Sequence, residues 1–143
     1  MADEWVPMFA QGSVLGIPFI CANGTGIEMG TALKLADPFT VSAHSGELDS
    51  VGGVALAEKI ASDGVTTIPV ARSGIWKVTG SGNITAGDPV GLADAGFPNQ
   101  VFSLKSVINL SGNVVVGTAL ETSTTGQTLL IELKPYSLPW SQT

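Results

Sequence analysis

Two stretches of this chain carry the same punctuation. Ile27-Glu28-Met29-Gly30-Thr31-Ala32-Leu33-Lys34-Leu35-Ala36-Asp37 aligns with Ile84-Thr85-Ala86-Gly87-Asp88-Pro89-Val90-Gly91-Leu92-Ala93-Asp94. Ile, Gly, Leu, Ala and Asp recur at fixed offsets, and Leu33 is matched by Val90. A second pair follows each block: Gly53-Val54-Ala55-Leu56 leads to Gly64-Val65-Thr66, and Gly117-Thr118-Ala119-Leu120 leads to Gly126-Gln127-Thr128. An internal repeat fixes architecture before any single residue does. Each half reads as short strands joined at glycine corners, so the chain is expected to be a duplicated β module with halves at about 27–79 and 84–134.

The rest of the chain agrees with that class. Apolar runs of four to eight residues (Ile17 to Ala22, Val65 to Ala71, Gly74 to Thr79, Leu129 to Leu133) alternate with turn composition such as Asn23-Gly24 and Gly80-Ser81-Gly82-Asn83. With 18 glycines and 8 prolines as corners, the expected fold is all-β, a small duplicated β-barrel or β-sandwich. Whether the hairpins close as one barrel or stack as two sheets stays open. Leu56 to Ser62 has helix-forming composition, but its counterpart Leu120 to Gly126 does not. Equivalent segments should share a conformation, so a strand end and a turn are expected in both.

Residues 1–12 read as an N-terminal arm, 13–134 as the β domain and 135–143 as a C-terminal tail with too much proline for regular structure. The arm mixes acids with Trp5, Val6, Met8 and Phe9, and Pro7 interrupts any ladder. Large apolar side chains on an arm need something to pack on, either a partner or the chain's own domain. Trp5 and Trp140 lie in the two termini, outside the repeat, and tryptophan is enriched where protein surfaces anchor to one another. Trp76, inside a strand, is expected in the core or facing another subunit.

Composition closes off several classes. The charged fraction is 13% and the formal net charge −6, with six basic residues that never cluster. Affinity for nucleic acid comes mainly from neutralised phosphates, so no direct DNA or RNA partner is expected. No apolar run approaches the length of a membrane span, and the acidic start is unlike a secretory signal. Cys21, the only cysteine, reads as a buried small hydrophobe.

Catalytic and metal chemistry finds little to work with. His44 is the only histidine, so one His and one Cys fall short of a zinc site. A triad of His44, Asp49 and a serine can be drawn on paper, but a loop histidine is ordinarily solvated. Glu47 and Asp49 beside Ser45 and Ser50 lack calcium-loop spacing. Asp37, Asp88 and Asp94 sit at repeat turns, where Asp side chains bond nearby backbone. No catalytic residue, cofactor or metal is expected, and the chain is not expected to be an enzyme.

The order Val51-Gly52-Gly53-Val54-Ala55, Gly64 to Val70, Gly74-Ile75-Trp76, Ile84-Thr85-Ala86-Gly87-Asp88-Pro89-Val90, Val116-Gly117-Thr118-Ala119 and Gly126-Gln127-Thr128 resembles the small head-decoration, or capsid cement, proteins of tailed viruses. The resemblance spans about residues 27–134. It implies a β-tulip-like domain that forms homotrimers and binds (quasi-)three-fold positions of an expanded shell made of HK97-type major capsid protein. There it would hold the head against internal DNA pressure, on the outer surface of the virion, after assembly in the host cytoplasm. By analogy with lambda-type relatives, Trp5, Val6, Pro7, Met8 and Phe9 would form the capsid-docking segment, with Trp76, Tyr136 and Trp140 as further subunit or partner contacts. A tail or receptor-binding module of a virion is the alternative; a carbohydrate-binding module or small β-barrel enzyme is a more distant one.

Overall fold

A computed structural model describes residues 3–9, 16–37, 39–47, 49–94, 96–105, 107 and 112–138. Eleven strands run through them: β1 (Val6–Phe9), β2 (Ile17–Ile20), β3 (Ala32–Asp37), β4 (Thr40–Ala43), β5 (Val51–Ala55), β6 (Thr67–Ala71), β7 (Ile75–Gly80), β8 (Pro89–Leu92), β9 (Gln100–Ser103), β10 (Gly112–Ala119) and β11 (Thr128–Leu138). No helix occurs among the described residues, and Leu56 to Ser62 is turn and bridge, as its repeat partner required.

The duplication resolves into two barrels, each closed on itself. The first has the order β2-β4-β3-β5-β6, closed by β6 on β2; the second repeats it as β7-β9-β8-β10-β11, with β1 added outside β7. Register is conserved between the halves. Ala32 pairs with Val54 as Pro89 pairs with Thr118, and Leu33 with Gly53 as Val90 with Gly117. Both barrels are closed by a short parallel pairing, Ile20 on Thr40 and Thr79 on Gln100. Even the isolated bridges match, Ile27 with Lys59 and Ile84 with Ser123. The structural repeat therefore begins at β2, and β7, placed by sequence in the first half, opens the second.

Close approach explains the shared glycine of β5 and β10. A Cβ on Gly53 would strike the Ala71 carbonyl, and one on Gly117 the carbonyl of Glu132, the residue equivalent to Ala71. Backbone cannot yield there as a side chain could, so both copies keep glycine. The tail differs from expectation. β11 continues through Pro135 to Leu138, and register shifts in its pairing with β10 absorb the missing proline donor.

Strand β5 is buried along its whole length because it has a core on each side. Phe19, Leu33, Val41, Ile68 and Val70 fill the first barrel. Ala32, Val51, Val54 and Ala71 belong instead to a larger cluster with Trp76, Val90, Leu92 and Ile131 of the second barrel. The interior of the first barrel is thus a cluster of its own, while the larger cluster runs from the outer face of that barrel into the second and fixes the two against each other.

Candidate interaction surface

Proline and the strand alternation set the geometry of the arm. β1 runs antiparallel to β7, with Val6 opposite Lys77, Pro7 opposite Trp76 and Phe9 opposite Ile75; the register slips between Pro7 and Phe9. Residues 3–9 thus pack on the chain's own second barrel. Trp5 is 3% exposed, its ring tilted at 57° over Trp76 with centroids 6.4 Å apart. Its amide donates to the Gly30 carbonyl at 2.8 Å and its Nε1 to the Asn99 carbonyl at 2.9 Å. Asp3 accepts from Thr79 Oγ1 at 3.3 Å and from Gln100 Nε2 at 3.1 Å.

Trp5 and Trp76 therefore turn inward. Trp76 is fully buried, and its Nε1 donates to Ser73 O. Trp76 thus takes the core position, one of the two expected for it, and the arm rests on the chain's own domain, with the Trp5 ring turned away from the surface. The outward face of β1 is different: Val6 and Met8 are 48% and 45% exposed. Val6 and Pro7, with Met29 and Leu56, border a cleft of about 360 Å³ floored by the two tryptophans. Tyr136 is also exposed, on β11. The side chain of Phe9 and all of Trp140 lie outside the described residues.

Asn99, which the sequence reading passed over, is the hub beneath the arm. It is fully buried, adopts φ +63°, and ties three segments together. Its carbonyl holds Trp5, its Oδ1 accepts from Ala32 N at 2.9 Å, and its own amide donates to His44 Nε2 at 2.8 Å. His44 is buried rather than solvated, and its Nδ1 has no partner among the described residues. Burial lowers its pKa; Asp49 opposes that and Lys34 adds to it. With Nε2 accepting, the ring is neutral with its proton on Nδ1. A signal for Asn99 existed only in retrospect, as an Asn suited to positive φ.

Among the described residues the triad drawn from His44 and Asp49 does not assemble. Asp49 Oδ2 accepts from the amides of Ser45 and Gly46, capping its own loop rather than orienting His44. Asp88 accepts from Thr85 N and Ser103 Oγ, which hold its carboxyl below the usual range. Asp94 accepts from Gly96 N; the side chain of Asp37 lies outside the described residues. Cys21 is buried, and desolvation raises its thiol pKa. Among the described residues no group of three or more His, Cys, Asp or Glu could hold a metal ion.

The architecture is a tandem of two five-stranded barrels related by duplication, with an arm strand on the second. The same fold occurs in the head fiber gp8.5 N base of bacteriophage phi29, which matches with a TM-score of 0.53 over 84% of this chain and 93% of that one, at 14% identity. No family model and no curated protein matches the sequence.

Proposed function

We propose that this chain is a structural protein of a tailed-virus head, a decoration subunit that sits on the outside of the capsid. The observation that carries the reading is the shared double-barrel fold, over most of both chains, with a protein named as a phage head fiber base. Sparse charge and exposed apolar strand residues suit a protein that gains stability from many identical contacts in a shell, where avidity multiplies modest affinities. In this reading the subunit acts as a trimer at (quasi-)three-fold positions of an HK97-type shell and clamps neighbouring capsomers after expansion.

The exposed side of β1 is the contact we assign to the shell. Val6, Pro7 and Met8 present it, while Trp5 secures the strand from behind. Tyr136 is a second exposed contact residue. Mixing the purified protein with shells before and after expansion, followed by sedimentation, tests this. Saturable binding to expanded shells, weakened by Met8→Glu without loss of fold, is expected. Binding to neither form, or equal binding by the variant, refutes it.

A further inference from the structure

Asn23 and Gly24 form an exposed turn between β2 and the bridge of Ile27 to Lys59. Packing gives no reason for a glycine at position 24. Its φ is not positive, and a Cβ there would meet nothing within 4 Å. Residues 59–65 nevertheless wrap this one dipeptide with donors. Lys59 Nζ and Ser62 N reach the Asn23 main-chain carbonyl at 2.6 and 2.7 Å, and Gly64 N reaches Asn23 Oδ1 at 2.7 Å. Positive φ at Ser62 and Gly64 curls the loop. Asp63 pins it, accepting from Ile60 N, Val65 N and Lys59 Nζ. The Gly24 amide donates to no partner among the described residues.

We infer that Asn23 is a self-modification site, where the Gly24 nitrogen closes on the side-chain amide to give a succinimide and then aspartate or isoaspartate. In the first step the bond from Gly24 N to Asn23 Cγ forms and the Cγ–Nδ2 bond breaks. Nδ2 leaves as ammonia, and the proton that Gly24 N gives up reaches it through solvent. Water then opens the ring, at Cγ to give aspartate or at the main-chain carbonyl to give isoaspartate. No oxidant, reductant or cofactor takes part.

The cradle serves both partners in ring closure. The nucleophile is the deprotonated Asn23–Gly24 peptide group, whose charge lies largely on the Asn23 oxygen, where the Lys59 ammonium and Ser62 N donate. The electrophile gathers charge on Oδ1 as it is attacked, and Gly64 N donates there. Successive main-chain donors in a curled loop are a recurrent way to hold such charge. Glycine leaves the attacking nitrogen unhindered, which supplies a chemical reason for Gly24 where packing has none. The second barrel has no copy of the device. Its equivalent turn is shorter, and Asn83 there precedes Ile84, whose branched Cβ crowds the following nitrogen. The inference does not rest on the virion reading, so the two fail separately.

The test compares three samples at neutral pH: folded protein, urea-unfolded protein and a synthetic peptide of residues 18–30. Conversion of the Asn23 amide to a carboxylate is followed by mass spectrometry of tryptic fragments, and hydroxylamine cleavage marks the succinimide. The folded protein should react at Asn23 about tenfold faster than the peptide or the unfolded chain, because only the fold assembles the donors. Asn83 should stay intact over the same interval. Gly24→Ala, at a site with open space, should keep the melting temperature and slow the reaction about tenfold. A folded-state rate equal to or below that of the peptide would overturn the inference. So would conversion of Asn83 at a matching rate, or undiminished conversion in folded Gly24→Ala.

Discussion

Replacing Trp5 with alanine tests whether the arm is part of the folded core or an appendage. Trp5 is 3% exposed, stacks on Trp76, and makes two hydrogen bonds that cross from the arm to Gly30 and Asn99. Truncation of a buried tryptophan costs about 3–5 kcal/mol, and here it also leaves the buried Asn99 carbonyl without its indole donor. If urea unfolding of a domain this size has a slope of about 2 kcal/mol/M, the midpoint falls by about 2 M. Trp5→Phe keeps the contact with Trp76 but loses the bond to Asn99, so it should cost about 1–2 kcal/mol. Circular dichroism follows the barrels and tryptophan fluorescence the arm, and the two transitions should coincide in wild type. A midpoint shift below about 0.5 M for Trp5→Ala, or early loss of fluorescence in wild type, would show that the arm releases independently.

Other consequences follow from the same contacts. Gly117→Ala drives a methyl into the Glu132 carbonyl and should prevent folding or cost about 3 kcal/mol or more, whereas Gly126→Ala, with open space but φ +81°, should cost only about 1–2 kcal/mol by thermal melts. His44 is held neutral by burial, so its folded pKa lies below its unfolded value. Its contribution is complete above about pH 6.5 and declines as pH falls below that. Since a protonated Nε2 would meet the Asn99 amide donor to donor, the Trp5 indole resonance should move with the single histidine titration; His44→Gln should abolish that coupling. Asp88 gives a separate acid limb, because its lowered pKa makes stability fall with pH through the carboxylate range, and Asp88→Ala should flatten that limb of a melting-temperature profile. Lys59→Met should destabilise, since the buried ammonium satisfies the Asn23 and Ile60 carbonyls at 2.6 and 3.2 Å; an unchanged melting temperature would contradict this.

The sequence made the duplication legible because its markers are forced by geometry. Gly53 and Gly117 meet a carbonyl, and Gly30 with Gly87 turns at positive φ. The equivalence of β2 and β7 was hidden, because Ile17-Pro18-Phe19-Ile20 and Trp76-Lys77-Val78-Thr79 share only an alternation of inward and outward positions. Closure of each repeat into its own barrel rests on two short parallel pairings, too few residues to leave a pattern. His44 looked solvated because its partner Asn99 lies 55 residues away. The apolar arm was readable as needing a surface, but which surface depended on the Trp5–Trp76 contact across the fold.

The most direct test of the capsid reading is a cryo-EM reconstruction of expanded shells saturated with this protein. Added density is expected on the outer surface at (quasi-)three-fold positions, three copies to each, with the exposed face of β1 against the coat subunits. Density confined to another symmetry position, or shells left bare at saturation, would contradict it.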